Sequence, residues 1–370
     1  MILILSGFFL WLGYTALIGF YRTGWKRSAA KPAPAALPRL RLSVVVPARD
    51  EEDRLPALLA ALAQQTYAAS FFEVLVIDDH STDGTAGIAQ AAAANVRFLS
   101  LPDGLAGKKA ALAFGIAQAP GRLIVTTDAD CIPGPLWLQS LAAQAEASGS
   151  AFIAAPVRYR NPEGVCAVFQ ALDFMTLQGI TAASVATGFH SMCNGANLAY
   201  TKEAFEAVNG FAGVDHIASG DDLLLMHKIA LRYPGKVHYL HRREAIVDTD
   251  AAPGWRAFWK QRVRWASKSA QYDDRRIFWA LVLVFALNAW FFVAAVASIF
   301  NVANLWSLLL VLFLKTLVEI RFLAPVVRFF GQAHLLKWFP LLQPLHIAYT
   351  VLVGTLSQVG TYEWKGRRVK

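Results

Sequence analysis

The pattern of apolar and polar positions divides the chain into segments of different kinds. Residues 1–21 are almost wholly apolar and reach the roughly 20 residues that a membrane-spanning helix needs. From Leu42 the pattern changes to short apolar runs separated by polar turns. Leu42–Val46, Val74–Ile77, Val96–Leu99 and Leu123–Thr126 read as buried strands, with helical stretches at Leu55–Gln65, Ala86–Ala94 and Lys108–Ala117 between them. Strands alternating with helices predict an α/β domain whose mostly parallel sheet is covered on both faces. In such sheets ligands bind at the carboxyl ends of the strands. After Gly254 comes an aromatic and basic helix, then apolar runs at Ile277–Phe300, Leu305–Ala324 and Phe339–Gln358. Val165–Thr187 is also apolar, but Gln170, Asp173 and Gln178 interrupt it, and it reads as an amphipathic helix lying on a membrane surface.

The expected organisation is a transmembrane helix over 1–21, a basic Pro/Ala linker over 22–41 and the α/β domain over 42–252. An interface helix over 253–275, about three membrane helices over 276–360 and a basic tail over 361–370 complete it. Lys315 and Glu319 stand four apart inside the second C-terminal run, where they are placed to pair on one helical face.

Composition supports this division. A hydrophobic fraction of 56% exceeds that of ordinary soluble domains, and the excess sits at the two ends. The net charge of +9 would suit nucleic acid, yet no nucleic-acid-binding motif accompanies it. The basic residues cluster instead beside apolar segments: Arg22, Lys26, Arg27 and Lys31, then Arg262, Arg264 and Lys268, then Arg367, Arg368 and Lys370. That placement suits lipid headgroups and, because positive charge follows the first run, puts the α/β domain in the cytoplasm. Four spans would leave the basic tail outside, against the same rule, so either one run is re-entrant or the tail breaks the rule. Cys131, Cys166 and Cys193 form no disulfide framework and no metal-ligand spacing, which fits a reducing compartment.

Polar clusters follow the predicted strands. Val46 to Glu52 (VPARDEE) follows the first and Ile77 to Thr85 (IDDHSTDGT) the second. There a carboxylate can accept from a base or ribose, while a helix start receives phosphate; Asp83-Gly84 also fits a plain turn with a helix cap. Gly107-Lys108-Lys109 opens a helix, where a lysine can meet a diphosphate or stand as a solvated charge. Asp128 and Asp130, two apart after the fourth strand, face the same way in extended backbone. Such a pair of hard oxygen ligands beside a diphosphate suits Mg2+ or Mn2+. Ser219 to Leu225 (SGDDLLL) places Asp221 and Asp222 before an apolar helix, as a helix cap or as a general base. In the helix Trp255 to Lys268, Trp255, Phe258, Trp259 and Val263 share a face suited to the membrane interface. Gln261, Arg264 and Trp265 form a neighbouring patch, in which Arg suits a diphosphate and Trp a sugar ring or acyl chain.

In this order the clusters resemble glycosyltransferase family 2, with its GT-A fold, over about Leu42 to Lys268. The stretches DDHSTDGT, DAD, GDD and QRVRW are similar to that family's successive motifs, the last to its membrane-bound branch. The resemblance implies a Rossmann-like, mostly parallel catalytic domain flanked by transmembrane helices. It implies that Pro47, Ala48, Arg49, Glu51, Asp79 and Lys108 hold the nucleotide, with Asp128 on the diphosphate side and Asp130 on the metal. Asp222 would be the base. Gln261, Arg264 and Trp265 would close over diphosphate and acceptor, with Asn194, Asn197 and Asp221 on the acceptor side. The sequence departs from the family at Asp50, where Asn is usual, at His80, at Ala113 and at Asp221, where Glu is usual.

The implied reaction is an inverting transfer of a sugar from a nucleotide-sugar, UDP-linked by expectation, to a membrane lipid, with Mg2+ or Mn2+ as cofactor. A processive polysaccharide synthase is the alternative acceptor reading. A membrane transporter or receptor that binds a nucleotide or sugar would explain charges in the apolar runs, but not the acidic motifs together with the Gln-Arg-Val-Arg-Trp helix. A dinucleotide dehydrogenase is excluded because no G-x-G-x-x-G follows the first strand.

Overall fold

The computed structural model describes residues 2–29, 38–214, 220–267, 274–359, 362–364 and 367–369. Residues 30–37 of the Pro/Ala linker, Ser219, Lys268 and the rest of the tail lie outside the described residues, while 22–29, expected as linker, continue the first helix. The chain forms two compact units: 1–24 with 162–179 and 251–370, and 25–161 with 180–250. Helix α1 (Ile2–Ala29) crosses the division between them.

The second unit carries the sheet. Its elements begin as β1 (Leu42–Ala48), α2 (Leu55–Ala63), β2 (Phe72–Asp78), α3 (Thr85–Gln90), β3 (Val96–Ser100), α4 (Lys108–Gln118) and β4 (Leu123–Thr126). These are the strands and helices that the alternating pattern predicts, with α3 shorter. The core strands are continuous apolar runs because both sheet faces are covered: Leu42, Val44, Val45, Val46 and Val74 to Ile77 are fully buried. Helix α4 lies close on this sheet. A Cβ at its Gly115 would stand 2.7 Å from Val45 Cγ1 and 2.9 Å from Ile77 Cγ1, so only glycine fits there.

The chain continues through β5 (Ile132–Pro133), α5 (Trp137–Ser148), β6 (Phe152–Ala154), β7 (Val157–Tyr159), α6 (Gly164–Ala186), β8 (Leu198–Thr201), α7 (Lys202–Ala207), α8 (Leu223–Arg232), β9 (Val237–Tyr239) and β10 (Val247–Thr249). The main sheet runs β3-β2-β1-β4-β8-β6-β9, and β5-β10-β7 form a second sheet. β1 is parallel to β2 and β4, and β2 to β3, so the carboxyl ends of β1 to β4 share one edge. β8 is antiparallel to β4, with Leu198 opposite Thr126. The residues just before Leu198 therefore arrive at that same edge, beside those just after Thr126.

The first unit consists of helices: parts of α1 and α6, then α9 (Gly254–Ala266), α10 (Arg275–Phe300), α11 (Val302–Phe329) and α12 (Phe339–Val359). The short strands β11 (Tyr362–Trp364) and β12 (Arg367–Val369) pair antiparallel at the end. Four stretches are long and apolar enough to cross a membrane: Leu3–Ala29, Gly164–Ala186, Arg275–Phe300 and Ala333–Ser357. Two expectations change here. The Leu305–Ala324 run lies in α11, which falls outside this set; it carries Lys315, Glu319, Arg321 and Arg328. Gly164–Ala186 is not a surface-lying helix, because 61% of its apolar stretch is buried inside the protein. Its interrupting residues Gln170, Asp173 and Gln178 are buried too.

Polar groups inside this unit are matched to one another. Lys315 Nζ donates to Glu319 Oε1 at 2.7 Å, as the spacing predicts, and to Gln343 Oε1 at 2.9 Å. Gln343 Nε2 and the Tyr14 hydroxyl donate to the two oxygens of Glu319. This network joins α1, α11 and α12. Removing one partner of a buried pair strands the other charge, at a cost of about 3–5 kcal/mol. Lys315→Met is therefore expected to lower the thermal unfolding midpoint in detergent, and Lys315→Met with Glu319→Leu to restore most of it. Equal midpoints for Lys315→Met and the wild type would contradict the network's role.

Candidate active site

The site begins with the loops that follow β1 and β2, which are laced together. Asp50 Oδ1 accepts from Thr82 N at 2.8 Å, and Asp50 N donates to Ser81 Oγ at 3.0 Å. Glu51 N donates to Thr85 Oγ1 at 2.8 Å, and Glu52 Oε2 accepts from Gly84 N at 2.7 Å. Asp83 accepts from Glu52 N and Thr85 N, so its role is the turn that the Asp83-Gly84 pair allows. Asp50 and His80 have φ values of 52° and 58°, a region where Asp, Asn and His are enriched among non-glycine residues. Both departures from the family pattern thus fit the backbone, and an Asp at 50 supplies the same acceptor oxygen as an Asn would.

The next layer orients a lysine. Asp79 is buried, and its Oδ2 accepts from Gly107 N at 3.0 Å and lies 3.8 Å from Arg49 Nη1. Gly107 has a φ of 93°, which a side chain would strain. His80 Nε2 lies 3.0 Å from Leu105 O and steadies the same loop. These contacts set Lys108 at the start of α4. Its Nζ lies 2.6 Å from Asp128 Oδ1 and 3.2 Å from Asp221 Oδ2. Burial opposes the charge on Lys108, but Asp128 and Asp221 outweigh it and hold the ammonium well above its ordinary range. Lys109, by contrast, is buried and donates to the carbonyl of Val214.

Asp128 is partly exposed, while Asp130 sits deeper. Burial, then the charges of Asp128 and Glu51, push the Asp130 carboxyl up to about 6. Burial and the same two aspartates raise the neighbouring Cys131 thiol, so no soft thiolate competes there. Among the described residues, no three His, Cys, Asp or Glu side chains form a metal cluster. Asp128 and Asp130 nonetheless fit a hard divalent cation, because Mg2+ sites are commonly one or two carboxylates completed by substrate phosphates and water. The repulsion from Asp128 and Glu51 that adds to burial in raising Asp130 is what such a cation would relieve.

Asp221 and Asp222 precede α8. Asp222 Oδ1 accepts from Leu223 N at 2.7 Å and its Oδ2 from Gly195 N at 3.1 Å, so it caps the helix and reaches the loop before β8. Gly195, between the candidates Asn194 and Asn197, is a contact point itself. A Cβ there would stand 3.0 Å from Asp221 Oδ2 and 3.1 Å from Lys108 Nζ. Asn194 Oδ1 accepts from Ala196 N at 2.9 Å, shaping this turn. Asn197 faces no acceptor. It is fully buried, donating to the carbonyls of Pro156 and Ala245 and accepting from Trp137 Nε1 at 2.9 Å. Its amide locks the core beneath the loop. Of the sequence candidates, Arg49, Glu51, Asp79, Lys108, Asp128, Asp130, Asn194, Asp221 and Asp222 thus come together at one sheet edge, which Pro47 and Ala48 approach as the end of β1.

Gln261, Arg264 and Trp265 belong to the other unit, in α9, and all three are half-buried. The aromatic face of α9 is covered in part: Phe258 is fully buried against Phe169 and Tyr349 and Trp259 also meets Tyr349, while Trp255 is exposed. Of the face that the helical wheel predicts for a membrane interface, Phe258 is thus taken up by protein contacts. Arg262 is not a headgroup contact, since it is buried in an ion pair with Asp173 at 2.8 Å.

Residues 43–207 match the family described as Glycosyl transferase family 2. The chain is 30% identical over 185 residues to glycosyltransferase AglE of Haloferax volcanii, covering 49% of this chain and 59% of that protein. It is 39% identical over 104 residues to a dolichyl-phosphate beta-glucosyltransferase of Drosophila melanogaster, covering 25% of this chain and 32% of that one. The matches thus span less than two thirds of the length of these relatives. In three dimensions it is similar to the mannosyltransferase PcManGT from Pyrobaculum calidifontis, solved in complex with GDP-Man and Mn2+. The TM-score is 0.61 at 19% identity, over 96% of this chain and 98% of that one, a likeness of fold.

Asp130 yields a test that needs no substrate. Its folded value of about 6 lies above the ordinary 3.8. The stability contributed by its neutral form is therefore present below 3.8 and lost as pH rises through about 6. With a chelator present, Asp130→Asn is expected to gain thermal stability over the wild type progressively from about pH 4 to about pH 7 and to level off above that. A difference that stays flat across that range would contradict the crowding of carboxylates described here.

Proposed function

We propose that this chain, whose residues 43–207 match Glycosyl transferase family 2, is a glycosyltransferase of the GT-A fold that moves a sugar from a nucleotide-sugar to a membrane lipid. The observation that carries this reading is the convergence of Lys108, Asp128, Asp130 and Asp222 at the carboxyl edge of a mostly parallel sheet, where such folds bind nucleotides.

In the proposed reaction Arg49, Glu51 and Asp79 flank the nucleotide, at the ends of β1 and β2. Lys108 turns from Asp128 to the donor's diphosphate, whose charge it neutralises as the bond to the sugar breaks. Mg2+ or Mn2+ held by Asp128 and Asp130 would supply Lewis-acid stabilisation of the departing diphosphate. Asp222 takes the proton of an acceptor hydroxyl, and the acceptor oxygen attacks the anomeric carbon as the nucleoside diphosphate leaves. One displacement inverts the anomeric configuration. Backbone N–H groups from Gly195 and Leu223 hold the Asp222 carboxylate in place. Treatment with a strong chelator should abolish transfer and Mn2+ or Mg2+ should restore it; full activity in chelator would remove the metal from this account.

The long apolar helices support a membrane location, and Lys26 and Arg27 in the last turn of α1 support a cytoplasmic site. The acceptor is then a lipid. The named relatives include a dolichyl-phosphate transferase, which adds lipid phosphate to lipid hydroxyl as an acceptor class. The two differ in their need for a base. A hydroxyl must lose its proton in the transfer, whereas a phosphate monoester is largely ionised at neutral pH. With labelled nucleotide-sugar and lipid extract, the label should enter an organic-extractable product. A water-soluble polymer would overturn the lipid acceptor and favour a polysaccharide synthase. With a hydroxyl acceptor, Asp222→Asn should lower turnover by about 10²- to 10⁴-fold, while a small effect would assign the phosphate class. If Asp221→Asn is the crippling change instead, Asp221 is the base.

A further inference from the structure

One face of α6 grips α9 along its length. Phe169 packs against Trp255 and Phe258, with ring centroids 5.6 Å away in each case. The fully buried Gln170 holds the backbone just ahead of α9, accepting from Ala252 N at 2.9 Å and donating to Ala252 O at 3.0 Å. One turn later Asp173 Oδ2 accepts from Arg262 Nε at 2.9 Å. Phe174 lies 6.1 Å from the Trp265 ring. Residues 169, 170, 173 and 174 lie on one side of a helix, since neighbours there are three or four apart.

Arg262 distributes this grip among the residues on either side of it. Its Nη1 donates to Gln261 Oε1 at 3.1 Å. Its guanidinium carbon stands 4.2 Å from the centre of the Trp265 ring and 4.9 Å from that of Phe258. Asp173 and Arg262 are almost wholly buried, at 6% and 2% side-chain exposure. A planar guanidinium fixed on one side by a carboxylate has a defined orientation, and here its contacts include Gln261 and Trp265 as well as Phe258. A pair needed only for stability could be replaced by apolar residues of similar volume at little cost. This pair does more, because its cation also touches a neighbouring polar side chain and an indole ring.

We propose that Asp173 is a positioning residue, acting through Arg262 to set the Gln261 and Trp265 side chains for transfer. The inference rests on the reading that Gln261, Arg264 and Trp265 take part in the reaction. Asp173 touches neither donor nor acceptor in this account.

The test uses the full-length chain in detergent and the double variant Asp173→Asn/Arg262→Gln, which leaves no unpaired buried charge and so keeps the fold. Hydrogen exchange should rise in the stretch from Gln261 to Trp265 and stay unchanged from Trp255 to Trp259, which Phe169 and Gln170 still hold. Unchanged exchange across all of α9 would overturn the proposal without any assay of transfer. With UDP- and GDP-sugars and a bacterial lipid extract, turnover should fall roughly 10- to 100-fold. The thermal midpoint should remain near that of the wild type, and Asp173→Glu should retain most of the rate. Full turnover in the double variant would overturn the positioning role. Arg264→Ala separates the two ideas: if it leaves transfer intact, the reading of this helix fails; if it abolishes transfer while the double variant does not, only the positioning inference fails.

Discussion

The site is organised around a gathering of negative charge that Lys108, with Arg54 beside Glu51, only partly offsets among the described residues. Glu51, Asp128, Asp130, Asp221 and Asp222 gather at one sheet edge, and Lys108 stands between two of them. The backbone explains why they meet. Parallel β1, β2 and β4 deliver their carboxyl ends to that edge, and antiparallel β8 brings the Gly195 loop back to it. Asp79 and the left-handed Gly107 then fix where α4 begins, and with it the position of Lys108. In the proposed reaction a diphosphate would add further negative charge to this edge, which Lys108 turning toward it and a cation on the aspartates would offset.

The helical unit obeys the same electrostatic constraint in apolar surroundings. A charge buried without a partner is costly, and the ionisable residues of its interior are accordingly matched: Lys315 with Glu319 and Gln343, Asp173 with Arg262. These pairs also connect helices distant in sequence. The first network ties α1 to α11 and α12, and the second ties α6 to α9. Polar residues that interrupt the apolar runs therefore act as joints between helices.

Much of this was legible in the sequence. The β1 to β4 half showed long apolar runs with polar clusters behind them, and the structure places those clusters at one edge. Lys315 and Glu319 were readable from their spacing alone. The second half of the domain was not, because β6 to β10 are strands of three or four residues whose pattern is too short to register. Asn197 sat in a motif yet faces the core, a fact decided by Trp137, Pro156 and Ala245, all distant in sequence. Asp173 and Arg262 were misread for a related reason. An acid inside an apolar helix signals a buried cation partner, but sequence does not say which cation, and Arg262 looked like one of several basic residues near lipid.

The claim that most depends on this geometry is that Lys108 passes from the aspartates to the donor's diphosphate. Calorimetric titration of the wild type and Lys108→Met with UDP and GDP, in the presence of Mn2+, tests it directly. A lysine contributing a charge-assisted hydrogen bond to phosphate is worth about 1.5–3 kcal/mol, so affinity for the preferred nucleotide should fall by roughly 10- to 100-fold. Equal affinity in the two proteins would mean that Lys108 serves only to pair Asp128 with Asp221, and the account of the site would fail at its centre.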